Sequence, residues 1–294
     1  MNTFLRPNFT AVNELIKRRQ AFFGRGPQAS RARYHQLYEE ARQIPYPELD
    51  QWEQRLGYAI DRPWLDNLAL HTQIIIKKSR LNYQHGRLLY TTLRHYLTEK
   101  IRKSGQLDSG QLDSGQLTIL ETGTARGFSA VVMAKALIDS GVAGKILTLD
   151  IVPHNAPLFW NCIDDHEGRK TRQELLSPWL EELEHIIFIQ GWTDTQLQRT
   201  GLARIHFAFI DAQHRKMEVL DEYHYVCDRQ QPGDMIIFDD VTPNHPQFKG
   251  VIEAINWIEQ DGKYTIQRIA SSPERGYGIA TKIDYASKMG QRNS

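Results

Sequence analysis

The chain has 294 residues, 40% hydrophobic, 10% aromatic and 24% charged, which excludes a disordered tail, a collagen and a small disulfide scaffold. Its two cysteines, Cys162 and Cys227, form no Cys-x-x-Cys or zinc-type spacing, and no apolar run approaches a membrane span, so a thiol-reducing, cytoplasmic setting is expected. Net charge is +1, yet residues 1–103 carry 18 Lys/Arg against 9 Asp/Glu while residues 104–294 carry 18 against 26. The bases are scattered along helical patterns and form no block of the kind that binds nucleic acid, so a solvated helical face docked on an acidic domain is the expectation.

In chain order, residues 10–42 and 64–103 carry apolar residues at three- and four-residue intervals, punctuated by Pro45, Pro47 and Pro63, and predict helices with one buried face. They form an N-terminal helical segment, residues 1–103, with two roles open: a cover over the active-site mouth or a homo-oligomer interface. The five-residue repeat in Ser104–Leu117 predicts an exposed loop, so residues 104–116 mark a boundary before a domain spanning residues 117–294.

In that domain β-rich runs at Leu117–Glu121, Ile146–Asp150, Ile186–Gln190, Ile205–Ile210 and Met235–Phe238 alternate with amphipathic stretches at Ala130–Asp139, Glu174–Glu184 and Val251–Gln260. Two further runs, Tyr264–Ile269 and Tyr277–Lys282, flank SSPERG as an antiparallel hairpin. The prediction is an α/β, Rossmann-like, doubly wound and mostly parallel seven-stranded sheet with an antiparallel edge hairpin. Ligands of such sheets bind beyond the carboxyl ends of the strands. The residues there are Glu121 to Gly127, Asp150, Gly191 to Asp194, Asp211 to His214, and Asp239 with Asp240.

ILETGTARGFSA places Gly123, Thr124 and Gly127 between a strand end and the helix that Ser129 opens, a turn whose helix N-terminus can receive an anion. Neither the dinucleotide fingerprint nor the P-loop pattern is present. Asp150 is placed to take ribose hydroxyls; Glu121 could meet an ammonium or simply order the loop.

ILETGTARGFSAV resembles motif I of class I S-adenosylmethionine-dependent methyltransferases, in the E-x-G-x-x-x-G-x-S form of catechol-type, metal-dependent O-methyltransferases. The stretch His85–Arg94 is similar to the helix that precedes this motif in those enzymes. The resemblance implies S-adenosylmethionine as cofactor, with Ser129 and the loop amides on its carboxylate and Asp150 on its ribose. Gly191–Asp194 resembles the segment along the adenine, which would put Trp192, Thr193 and Asp194 at the ring; Trp192 could equally be core.

Asp211, Asp239 and Asp240 should converge, and three unpaired carboxylates would repel unless a hard divalent cation, Mg²⁺ or Mn²⁺, lay between them. The resemblance agrees with such a ligand set, although it most often has Asp-Asn where this chain has Asp239-Asp240. A cation chelating two vicinal oxygens would activate a hydroxyl, and His214, three residues beyond Asp211, is placed to remove its proton. The family commonly has Lys there; His is shared with some sugar and macrolide O-methyltransferases. Arg215 and Lys216 are the next candidates, and a loop-bonded His214 or a loop-capping Asp240 are the plain alternatives.

The expected function is metal-assisted O-methylation of a small-molecule vicinal diol, sugar or phenol, with Asp211 and His214 catalytic. A hydroxylase-like enzyme and a non-catalytic cofactor-binding protein are the rivals. The long loop from Ile151 to Gln173 is expected to govern substrate choice, with His154, Phe159, Trp160 and His166 either lining the pocket or packing on one another.

Overall fold

A computed structural model describes residues 26–104, 117–243, 245–272 and 275–284. Most of the five-residue repeat and the expected helical stretch at residues 10–25 lie outside the described residues.

Among the described residues, four helices precede the sheet: α1 (Arg31–Arg42), α2 (Pro47–Leu56), α3 (Arg62–Thr72) and α4 (His85–Ser104). Each boundary has a local cause. The Ser30 hydroxyl accepts from the Arg33 amide and starts α1; Pro47 opens α2, which Gly57 ends in a left-handed conformation at φ 79°. The helical pattern read over residues 64–103 is carried by α3 and α4, with residues 73–84 outside any helix. The Ile76 amide and carbonyl there bond the Asn161 side chain at 3.1 and 2.9 Å instead of a helical neighbour.

The remaining elements are β1 (Leu117–Thr122), α5 (Phe128–Ser140), β2 (Gly144–Asp150), single turns α6 (Arg172–Leu175) and α7 (Leu180–Leu183), β3 (Ile186–Gln190), α8 (Thr193–Thr200), β4 (Phe207–Ile210), α9 (Lys216–Cys227), β5 (Met235–Phe238), α10 (Lys249–Asp261), β6 (Tyr264–Ser272) and β7 (Arg275–Lys282). The continuous helix expected over Glu174–Glu184 is instead two turns joined by a 3-10 turn at Ser177–Trp179. Pro178 lacks an amide proton, and its ring would strike the carbonyl four residues back in a helix.

The sheet order is β3-β2-β1-β4-β5-β7-β6, with β1 to β5 parallel and β7 antiparallel to both β5 and β6. This is the expected seven-stranded architecture. The strand order reverses between β1 and β4, where a crevice opens at the carboxyl ends.

Because successive strand side chains point to opposite faces, β4 sends Phe207 and Phe209 into one core and Ala208 and Ile210 into the other. The first core also holds Leu65, Leu68, Leu88, Leu93, Val131 and Leu137, so the N-terminal helices and α5 share one apolar layer with the sheet. The second is closed by α8, α9 and α10 through Leu197, Tyr223 and Ile255. Among the described residues no helix is long and apolar enough to cross a membrane.

The Glu121 and Glu222 carboxyl groups are buried inside this fold. Burial pushes Glu222 up to about 8, although Thr122 donates to it at 2.7 Å, and pushes Glu121 up to about 7. Raised folded-state values mean that the native state holds protons the unfolded chain has released. Stability should therefore fall as pH rises from about 4.5 toward 8. Glu222→Gln is expected to flatten this fall and to raise stability at pH 8 by about 2 kcal/mol or more, since each tenfold change in a proton-binding equilibrium is worth about 1.4 kcal/mol. Denaturant melts at pH 5 and pH 8 read it; equal pH slopes in variant and parent would show that Glu222 is ionised in the core.

Candidate active site

A cleft of about 490 Å³ opens at the carboxyl ends of β1, β2, β4 and β5. One half is walled by Gly123, Ala125, Asp150, Val152, Trp192 and Thr193, the other by Lys77, Asp211, Gln213, His214, Asp240 and Arg275. A volume of this size suits a cofactor-sized molecule and a small acceptor side by side.

The first half begins with the turn after β1. Gly123 has φ 94°, and a Cβ there would lie 2.4 Å from the Asp211 carbonyl oxygen. The turn and the end of β4 are thus in backbone contact, which only glycine permits. Gly127, at φ 90°, precedes α5, and a Cβ there would meet Leu176 at 2.7 Å. The Asp150 carboxylate accepts from the Ala125 amide at 2.7 Å and the Val152 amide at 2.9 Å, tying the β1 turn to the β2 turn. Asp150 also lines the cleft.

Several residues expected at the cofactor do not line the cleft. The Glu121 carboxylate is fully buried beneath the turn and accepts from the Ser129 and Thr148 hydroxyls. The Thr124 and Thr148 hydroxyls are hydrogen-bonded to each other at 2.5 Å. Glu121, Thr124 and Ser129 therefore form an internal network that orders the turn, and the Ser129 hydroxyl is engaged in it. Asp194 accepts from the Thr195 amide at 2.6 Å at the start of α8 and does not line the cleft. Trp192 and Thr193 do.

In the other half the three acids part company. The Asp239 carboxylate is fully buried; one oxygen receives the Arg275 guanidinium and the other accepts from the Asp240 amide at 2.7 Å. Asp240 follows with φ 57°, a left-handed conformation uncommon for a non-glycine residue, and this reverses its side chain into the cleft. Its carboxylate lies 2.9 Å from His214 Nε2. Asp211, His214 and Asp240 each offer one donor atom within 4.8 Å of the others, so the cluster is Asp-His-Asp where Asp211, Asp239 and Asp240 were expected together. The electrostatic reason is Arg275, which pairs with Asp239 and takes it out of the cluster.

Burial and the Asp239 and Asp240 carboxylates hold the Asp211 carboxyl well above the usual range, with Arg275 opposing them. Burial works against the Arg275 charge too, but the surrounding carboxylates and Tyr277 outweigh it and keep the guanidinium protonated. His214 is held by its loop: a Cβ on Gly250 would lie 2.4 Å from its carbonyl oxygen, so the first turn of α10 presses directly on it. Arg215 reaches Glu218 at 3.6 Å on the surface, and neither it nor Lys216 lines the cleft.

The long loop after β2 packs on itself. Trp160 is fully buried with Val152, Leu158, Cys162 and Leu175; His154 bonds Arg172, and His166 bonds the Ala29 carbonyl at 2.9 Å. Phe159 lies under the Arg169 guanidinium at 5.3 Å. His85 is fully buried against Phe128, and burial lowers its pKa to about 3. Lys77, Arg126 and Arg275 line the cleft without any motif to announce them, although SSPERG already marks the hairpin that carries Arg275.

The comparisons accord with this geometry. Residues 120–241 match a family described as "Methyltransferase domain". No curated protein matches the sequence. Among solved structures, the cofactor-bound protein Rv0187 from MTB superposes with a TM-score of 0.53 at 15% identity, covering 82% of this chain and 98% of that one. A candidate O-methyltransferase from Klebsiella pneumoniae gives 0.51 at 18% identity, covering 77% and 93%. The O-methyltransferase TomG from Streptomyces achromogenes, involved in tomaymycin synthesis and solved with S-adenosylmethionine, gives 0.50 at 17% identity, covering 80% and 98%. What these solved structures share with the chain is the fold, and the cleft lies at the carboxyl ends of its parallel strands.

Asp150 both ties the β1 turn to the β2 turn and lines the cleft. Asp150→Ala is expected to weaken S-adenosylhomocysteine binding about tenfold or more, as loss of charge-assisted hydrogen bonds does. Isothermal titration of parent and variant measures this, and an unchanged affinity would place the ribose contact elsewhere.

Proposed function

We propose that this protein transfers a methyl group from S-adenosylmethionine to a hydroxyl of a small-molecule acceptor, assisted by a divalent cation held by Asp211, His214 and Asp240. The observation that carries this reading is the single cleft that joins the Gly123–Asp150 cradle to the Asp-His-Asp cluster. The sulfonium of the cofactor supplies an activated methyl group, whose displacement needs an oxygen nucleophile in line with it.

The donor chemistry fits a cation. Two carboxylates and one imidazole suit Mn²⁺ better than Mg²⁺, which prefers oxygen donors throughout. Bound there, the cation would lower the pKa of an acceptor hydroxyl and fix its position. Asp150 and the β1 turn hold the cofactor end, with Trp192 and Thr193 beside it. Asp239 and Arg275 keep Asp240 turned toward the acceptor, and Gly250 seats the His214 loop. Positioning of this kind is the main contribution a protein makes to a displacement between two bound partners.

A second reading rests on the 2.9 Å contact between His214 Nε2 and Asp240. In it His214 removes the hydroxyl proton and Asp240 stabilises the imidazolium, with no cation. Methyl transfer from labelled S-adenosylmethionine to catechol, 3,4-dihydroxybenzoate, glycerol, glycerate and glycerol 3-phosphate separates the two. Cation assistance requires product with Mn²⁺, loss with EDTA and recovery on Mn²⁺ addition. Undiminished turnover in EDTA would favour the His214–Asp240 pair acting alone, and failure to methylate any hydroxyl would count against O-methylation. His214→Ala is expected to lower the rate by about a hundredfold.

A further inference from the structure

The acceptor half of the cleft carries more positive charge than the chemistry above uses. Lys77 lines it and, among the described residues, has no ion-pair partner. Arg275 gives one guanidinium nitrogen to Asp239, while its Nε is buried without a hydrogen-bond partner. Arg126 adds a third positive group to the wall and donates its Nε to the Trp160 carbonyl at 2.5 Å. Desolvation together with Arg275 and Arg126 pushes the Lys77 amine down to about 8, so these cations feel one another.

Lys77 is set in place by the fold. The backbone of Ile76, its neighbour, is gripped on both sides by the Asn161 side chain at 3.1 and 2.9 Å. Asn161 is itself fixed in a left-handed conformation at φ 54°, with its amide donating to Asp165 at 2.8 Å. The Lys77 side chain itself is exposed at the cleft wall. An ammonium held beside two guanidinium groups at the mouth of a binding cleft costs stability unless an anion joins it.

We infer that the acceptor carries an anionic group, a carboxylate or a phosphate, bound between Lys77 and Arg275 while its hydroxyl lies at Asp211, His214 and Asp240. This rests on the reading of the cleft as an acceptor site and adds the class of acceptor: a hydroxylated acid, not a neutral diol. Lys77 supplies a compact charge and Arg275 directed N–H donors, a pairing suited to an oxyanion.

The test is binding, so it does not depend on turnover. Protein saturated with S-adenosylhomocysteine is titrated with glycerol, glycerate and glycerol 3-phosphate, with Mn²⁺ and again with EDTA, in the parent, Lys77→Met and Lys77→Arg. At least one charged probe is expected to bind about tenfold or more tightly than glycerol under both conditions. That preference should fall to within about twofold in Lys77→Met and persist in Lys77→Arg. The tighter of the two charged probes identifies carboxylate or phosphate as the source of the anion. Equal affinity for all three, no binding by either charged probe, a preference unaltered in Lys77→Met, or one that vanishes with EDTA would each overturn the inference. If the preference holds while the same probes accept no methyl group from S-adenosylmethionine, the anion site stands and the acceptor reading fails.

Discussion

Two adjacent carboxylates at the end of β5 are sent to opposite partners, and the arrangement of the acceptor half depends on that division. Side by side and unpaired, Asp239 and Asp240 would repel each other and Asp211. Arg275 removes one of them from the contest by pairing with Asp239, and the Asp240 amide closes on the other Asp239 oxygen. The left-handed turn at Asp240 then follows, and with it the approach of His214. The β6–β7 hairpin, which a sheet edge alone would not require, brings Arg275 to this place. The Val241 amide donates to the Gly276 carbonyl at 2.9 Å and fastens the hairpin to the loop.

The cofactor half obeys a different constraint. Its turn must approach β4 closely, so Gly123 lies against the Asp211 carbonyl, and the turn must also be stiff. Stiffness comes from below through Glu121, Ser129, Thr148 and Thr124, and from the side through Asp150. Burial of Glu121 costs stability that a fully apolar core would not lose, an expense common where a polar network fixes one conformation. The same backbone contact couples the halves: a shift of the turn would move Asp211.

The fold was legible because β4 is buried on both faces, β1 and β5 nearly so, and the strands read as short apolar runs separated by turn residues. Met235–Phe238 and Ile186–Gln190 coincide with β5 and β3. Helix breaks were harder to read, since Ile74, Ile75 and Ile76 continue a helical apolar pattern and only a distant side chain, Asn161, competes for their backbone. At the site, position along a strand located Asp150, Asp211, His214 and Asp240, but could not say which way each side chain turns. Asp239 and Asp240 are neighbours in sequence and differ only through Arg275, which lies 36 residues beyond Asp239. Glu121 stands in a ligand-binding motif and faces inward, because two hydroxyls from α5 and β2 reach it first.

The division between Asp239 and Asp240 is open to direct view. Crystals soaked in Mn²⁺ and measured at its absorption edge would locate the ion by its anomalous signal. An ion bounded by Asp211, His214 and Asp240, with Asp239 still on Arg275, is the expected result. An ion seated on Asp239 with Arg275 displaced, or no ion in the cleft at all, would contradict it.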